Sequence, residues 1–213
     1  RGIRAELGER ADAVRVVDLS ADYRLADANT YAQWYGQEHP DPEELPRFVY
    51  GLCELQNQSL LGRTRVAAPG CFATALQLAT LPATSVGMLD PHAPWVLSAV
   101  TGSSGSGIAP KAGTHHPHRH GNLWAYGFGG HRHEAELGQA LGQHGIAPPI
   151  HFLPHSGPFA RGIHLTAALP LAEPIESAAA RAAYSEQFGT SPFVEVLQGP
   201  TAVPDLRSVV GSN

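Results

Sequence analysis

The chain predicts an α/β fold, on three observations. Residues 5–13 carry helix-forming side chains and lead into Val14-Arg15-Val16-Val17-Asp18-Leu19. That is an apolar run of the kind buried in parallel sheets. A second run, Arg65-Val66-Ala67-Ala68, breaks at Pro69-Gly70-Cys71 and gives way to an Ala-, Leu- and Gln-rich segment over 73–81. A third, over 95–100, runs into Thr101-Gly102-Ser103-Ser104-Gly105-Ser106-Gly107.

Taken in order, the first helix and strand look like the second half of a doubly wound domain. There the ligand crevice lies outside the carboxyl ends of the strands, where Ser20, Asp22 and Arg24 fall. Residues 30–50, with Trp34, Tyr35 and three prolines, read as an irregular aromatic connection. The helix after Cys71 is expected to stop near Pro82, because proline lacks the N–H an interior position donates. Residues 134–143 predict a helix, 151–153 and 163–169 predict strands, and the second alternates as a half-buried strand does. A helix over 174–188 and a last strand over 194–197 complete the reading.

The 213 residues are enough for one substantial core, or for one domain and part of another. Charged residues make up 15% against a usual share of about 25%, and the net charge is −5 without a Lys/Arg cluster. Nucleic acid and anionic membrane surfaces are therefore excluded as expected partners, whereas a small phosphorylated substrate, which needs only a few arginines, is not. No apolar run approaches the roughly 20 residues that span a bilayer, and the first residues lack the core of an export signal. With only 2 Cys, no disulfide framework is expected, and the cytoplasm is the default compartment.

Cys71 carries the chemistry. At the start of a helix its sulfur meets unpaired N–H groups and the positive end of the helix dipole, which lowers a thiol pKa and exposes a reactive thiolate. The alternative is a buried apolar cysteine; Cys53, which lacks this context, is read that way. The Gly/Ser loop over 101–107 suits close approach of a phosphate or cofactor, or is simply a connector; it lacks the Lys-Ser/Thr of a P-loop. Of the 12 histidines, His115, His116, His118 and His120 are broken by Pro117 and match no zinc spacing, so no metal site is expected. His131-Arg132-His133, after Gly129-Gly130 and before a helix, offers a general acid/base near neutral pH. Arg24, Arg132 and Arg161 can each hold a phosphate or carboxylate bidentately, or are ordinary surface charges.

Together these segments resemble the N-acetyl-gamma-glutamyl-phosphate reductase family. The matching stretches are Val17 to Leu25, Val49-Tyr50-Gly51-Leu52, Ala68 to Thr74, Thr101 to Gly107, Gly130-His131-Arg132-His133, Leu153-Pro154-His155 with Arg161-Gly162-Ile163, and Gly211-Ser212-Asn213. The family is similar in architecture to aspartate-semialdehyde and glyceraldehyde-phosphate dehydrogenases. The resemblance implies a partial Rossmann-like nucleotide-binding domain over 1–70. It implies an α+β catalytic, substrate-binding and oligomerisation domain with a mixed sheet over 71–213.

It further implies reduction of N-acetyl-glutamyl-5-phosphate to the 5-semialdehyde in arginine biosynthesis, with NADP(H) as cofactor. Cys71 is then the thioester-forming nucleophile and His131 the acid/base, with His133 as the fallback. Ser104, Gly105, Ser106, Gly107 and Asn213 are implied at the nicotinamide end of the cofactor. Arg24, Ser103, Arg132, His155 and Arg161 are implied on the substrate, and a homo-oligomer, dimer or tetramer, is expected. No Gly-rich fingerprint precedes Arg24, so the first half of the nucleotide domain is expected to be missing and this chain to bind NADPH weakly. Cys53 stands where the family resemblance implies proline. Two rival readings stay open: a cofactor-independent cysteine acyl hydrolase or transferase, and a non-catalytic substrate-binding or oligomerisation fragment.

Overall fold

The computed structural model describes residues 6–199 and 202–212. A single 3-10 turn, Gly8–Asp12, leads into β1 (Val16–Asp18). Next come α1 (Ala28–Tyr35), a 3-10 turn Pro42–Arg47, β2 (Val49–Tyr50), α2 (Cys53–Leu60) and β3 (Arg65–Ala67). The three strands form a parallel sheet in the order β1-β3-β2, with Val17 opposite Val66 and Val49 also opposite Val66. Sequence reasoning missed α1. Asp27 starts it by accepting from the Thr30 N–H at 2.8 Å, and Gly36 ends it at φ 69. Its Tyr31 is buried and stacks on Tyr35, so the aromatics of this segment pack a helix rather than decorate a loop. β1 is parallel as expected but not buried: Val17 is 66% exposed.

The second half opens with α3 (Cys71–Ser85), followed by β4 (Trp95–Thr101), a 3-10 turn Ser103–Ser106 and the short α4 (His116–Arg119). β5 (Trp124–Ala125), α5 (Arg132–Gln143), β6 (Ile150–Ser156), β7 (Ile163–Ala168) and α6 (Ser177–Phe188) follow. The sheet order is β5-β6-β4-β7; β4 runs parallel to β6, and β4–β7 and β5–β6 are antiparallel. This is the expected mixed sheet. Alternation explains its two faces: Trp95, Leu97 and Ala99 of β4 are buried with Phe72, Leu76, Leu137, Leu141 and Phe152 in the main core. Helices α3 and α5 cover that face. Val96, His151, His164 and Thr166 face away from it and are exposed.

Two expectations fail for physical reasons. α3 passes Pro82 and ends at Ser85, because tertiary packing buries Leu81, Pro82 and Ala83 and outweighs one lost helix bond. Residues 194–197 are not a strand; the Leu197 carbonyl is taken by Arg181 Nη1 at 2.8 Å. Among the described residues no helix is long and apolar enough to cross a membrane.

Candidate active site

Cys71 is the first residue of α3. Its N-cap Gly70 has no side chain to accept from the first helical N–H groups. The backbone N–H groups of Phe72 and Cys71 therefore point at the sulfur and favour the thiolate, as does the Arg24 guanidinium. The sequence expectation of a lowered pKa is nevertheless corrected. Burial pushes the thiol above its ordinary value, outweighs the helix start, and is reinforced by the Glu136 carboxylate. The side chain is still exposed, at the wall of a cavity of about 620 Å³.

A residue the sequence reading missed organises this corner. Glu136, on α5, is fully buried. Its Oε2 accepts from the Gly70 N–H at 2.9 Å and from the Tyr50 hydroxyl at 2.8 Å. Gln77 Nε2 donates to that hydroxyl at 2.7 Å, so β2, α3 and α5 meet at one carboxylate. Arg24 Nη1 lies 3.6 Å from Oε1, while Arg24 Nε donates to the Ala68 carbonyl at 2.8 Å. Burial raises the carboxyl's pKa against the opposing pull of Gly70, Arg24 and Tyr50. The signal in the sequence was an acid one turn before buried Ala140, on the helix face that turns inward. Such a position is tolerated only with partners, and those partners are distant in sequence.

The two candidate histidines differ. His131 caps α5: its Nδ1 accepts from the His133 N–H at 3.3 Å, and its own N–H donates to Glu134 Oε1 at 2.6 Å. Its ring stands edge-on to Phe72 and Phe152 at 5.5 Å. A neutral ring that accepts at Nδ1 carries its proton at Nε2. Burial lowers the His131 pKa, which keeps the ring neutral. His133 is pressed against Gly70, its Nδ1 buried without a hydrogen-bond partner and its Nε2 3.8 Å from Glu136 Oε1. Burial, then the neighbouring His131 and Arg24, push its pKa down to about 3, so the contact with Glu136 is not an ion pair at neutral pH.

A histidine that must stay neutral in the fold penalises acid. Its native pKa lies below the unfolded value near 6.5, so the unfolded state binds the proton first. The stability His133 allows is complete above pH 6.5 and is lost as pH falls towards 3. The loss attributable to it is expected to reach about 3–5 kcal/mol. Glu136, raised by burial, acts in the opposite sense. The measurement is therefore the difference between wild type and His133→Gln in urea unfolding at pH 7 and pH 4. Equal slopes against pH in the two proteins would refute it.

Cys71, His131, His133, Arg24, Arg132, Gly105 and Ser106 all line the one cavity. Lys111, Trp124, Tyr126 and Ser156, which the sequence did not suggest, line it too. Arg132 lies 5.0 Å from the Tyr35 ring centroid in a cation–π contact. Ser103, Ser104 and Gly107 are in the same loop but not among the lining residues, and neither are His155 and Arg161. His155 alternates with cavity-lining Ser156 on β6, so it turns to the other face of the sheet. Asn213 lies outside the described residues. Among those residues no group of three His, Cys, Asp or Glu could hold a metal ion. Cys53 is exposed at the start of α2 and lines a different cavity, not the buried place expected for it.

The Gly/Ser loop is held by its neighbours. The N–H groups of Ser103 and Ser104 donate to the Phe159 and Ala160 carbonyls at 3.0 and 2.9 Å. A Cβ on Gly102 would come within 2.5 Å of the Ala160 carbonyl oxygen, so that approach requires glycine.

Known proteins are similar to this chain in sequence and fold. A model of the semialdehyde dehydrogenase dimerisation domain matches residues 71–213. An N-acetyl-gamma-glutamyl-phosphate reductase of Azotobacter vinelandii is 38% identical over 208 residues, 95% of this chain and 58% of that protein. A putative LysW-L-2-aminoadipate/LysW-L-glutamate phosphate reductase of Ignicoccus hospitalis is 39% identical over 93% of this chain and 56% of its own. The chain thus spans less than two thirds of these relatives. In structure it is similar to aspartate semialdehyde dehydrogenase II of Vibrio cholerae, with TM-score 0.64, 12% identity, and 98% and 63% of the two chains covered. A probable aspartate-semialdehyde dehydrogenase of Pseudomonas aeruginosa has TM-score 0.58 at 19% identity, covering 98% of this chain and 62% of that one. From Cys71 onward the sequence is that of the dimerisation domain, and the chain belongs to the semialdehyde dehydrogenase family.

Proposed function

We propose that the protein reduces an acyl phosphate to an aldehyde through a Cys71 thioester, with N-acetyl-glutamyl-5-phosphate as substrate and NADPH as reductant. One observation carries this: in a chain of net charge −5, the cavity at Cys71 is lined by Arg24, Lys111 and Arg132 and, among the described residues, by no Asp or Glu. Such a wall selects a multiply charged anion. The names of the relatives supply the acyl group, and the sequence resemblance supplies the dinucleotide.

The Cys71 thiol gives its proton to solvent, and the thiolate attacks the acyl carbon as the carbon–oxygen bond to phosphate breaks. Phosphate leaves with the bonding pair and takes a proton from solvent, and Cys71 is left as a thioester. A thiolate suits both halves of the reaction, since it attacks well and later leaves well. Arg24, which already favours the thiolate, faces the departing phosphate together with Arg132. His131 holds its proton at Nε2 and donates it as a hydrogen bond to the acyl oxygen while negative charge builds there. His133 stays neutral and packs Gly70 in place.

The cofactor fits one end of this site. Gly105 and Ser106 form a wall without bulky side chains on the cavity that Cys71 lines. A planar nicotinamide could lie against it. When bound, the reduced dinucleotide supplies the hydride that brings the thioester to the aldehyde level. We read residues 1–70 as part of the dinucleotide-binding domain and residues 71–213 as the catalytic and oligomerising one. The protein is read as a cytoplasmic homo-oligomer, and the exposed sheet face at Val96, His151 and His164 is the surface it offers for self-association.

The reaction run backwards tests the proposal. The full-length protein is expected to reduce NADP with N-acetylglutamate semialdehyde only when phosphate is present. Turnover indifferent to phosphate, or release of the acyl group without any dinucleotide, would replace the reductase reading with the hydrolase one.

A further inference from the structure

Arg119 has no role in the chemistry above, yet it is the buried residue of an otherwise exposed four-residue helix, at 7% exposure. Its Nη1 donates to Ser156 Oγ at 2.9 Å, and its Nη2 donates to the Gly157 and Phe159 carbonyls. The guanidinium sits 5.4 Å from the Trp124 ring centroid. Its Nε is buried without a hydrogen-bond partner, and among the described residues no carboxylate lies within ion-pair distance of it. Carbonyls and an aromatic face offset part of the cost of burying that charge, but none supplies a negative counter-charge. The two side chains Arg119 touches, Ser156 and Trp124, are cavity-lining residues. Because Ser156 Oγ accepts from Arg119, its own hydroxyl proton is left for a partner. Lys111 lines the same cavity.

We infer that Ser156, held by Arg119, is the seat of a carboxylate on the substrate, with Lys111 of the same cavity as its cation. Ser156 and Lys111 donate to it, and Arg119 is a positioning residue that orients the Ser156 hydroxyl and supplies a buried positive field. The seat rests on the acyl-phosphate reading, which divides the anionic groups of the ligand. The phosphate is bonded to the carbon Cys71 attacks, so it belongs beside Arg24. A second, non-reacting anion must be held elsewhere in the cavity. Arg119 also has a purely structural use: Phe159, whose carbonyl it holds, receives the Ser103 N–H. The test must therefore separate anion binding from loop support.

The probes are N-acetyl-L-glutamate and its α-carboxamide, N-acetyl-isoglutamine, titrated calorimetrically into the protein without cofactor. Wild type is expected to bind the dicarboxylate at least about tenfold more tightly, the worth of one charge-assisted hydrogen bond. Ser156→Ala and Lys111→Met should each weaken the dicarboxylate about tenfold and leave the carboxamide unchanged. Arg119→Met should remove the preference, and Arg119→Lys should restore part of it. Equal loss for both probes would mean loop support only and overturn the inference. So would a wild type that binds both alike. A protein that turns over the acyl phosphate but ignores the carboxamide change loses the seat and keeps the reductase reading. One that prefers the dicarboxylate yet reduces no acyl phosphate loses the reductase reading and keeps the seat.

Discussion

Cys71→Ser is expected to reduce acyl-enzyme formation from an acyl phosphate by about 10⁴-fold or more, because a hydroxyl is scarcely ionised near neutral pH. The fold should be untouched: the side chain is exposed and the replacement is nearly isosteric. Intact-mass measurement after mixing with N-acetylglutamyl phosphate reads the covalent adduct directly. The pH dependence carries a sign that the sequence alone would have reversed. Since burial raises the thiol, the rate of alkylation by iodoacetamide should climb with pH to a midpoint above that of an ordinary cysteine. Arg24→Gln removes a cation that favours the thiolate and should move the midpoint higher. Glu136→Gln removes a charge that opposes it and should move the midpoint lower. An adduct formed as fast on the serine variant as on wild type, or a wild-type midpoint below the ordinary thiol value, would end the claim.

Local sequence signals survived where one neighbour decides the outcome. Pro69-Gly70 ends a strand and frees the helix start at Cys71. The alternation over residues 163–168 reappears as alternating burial in β7. Local signals failed where a distant partner decides. The thiol pKa follows from mass packed round the sulfur and from Glu136, far away in sequence, not from the helix start alone. α1 was missed because Tyr31 and Tyr35 look like loop aromatics until α1 packs beside α5 with Ala135. Arg119 sits amid four histidines that draw the eye to metal binding, and only the fold shows that the arginine is the buried side chain. Arg161 and His155 sit in motifs beside cavity residues in sequence, but strand alternation and the turn after β6 leave them outside the cavity lining.

Gly70→Ala should be strongly destabilising for a single added methyl group. The added Cβ would stand 2.2 Å from His133 Nε2 and 2.8 Å from Glu136 Oε1, closer than real contacts allow. Neither side chain can retreat cheaply. The His133 ring is flanked by Phe72 at 5.9 Å and His131 at 4.8 Å, and Glu136 is fixed by the Gly70 N–H and the Tyr50 hydroxyl. Overpacking together with a strained buried hydrogen bond is expected to cost about 3 kcal/mol or more, or roughly 6–12 °C in Tm. Gly138→Ala on the exposed side of α5 is the control. Its Cβ would meet nothing within 4 Å, so it should gain about 0.5–1 kcal/mol from helix propensity. Because the clash is first with the His133 ring, His133→Ala should recover most of the loss in the double variant, a coupling that a merely flexible Gly70 would not show. If Gly70→Ala melts within about 1 °C of wild type, or if His133→Ala fails to rescue it, the packing of His133 and Glu136 behind Cys71 is not what holds the nucleophile in place.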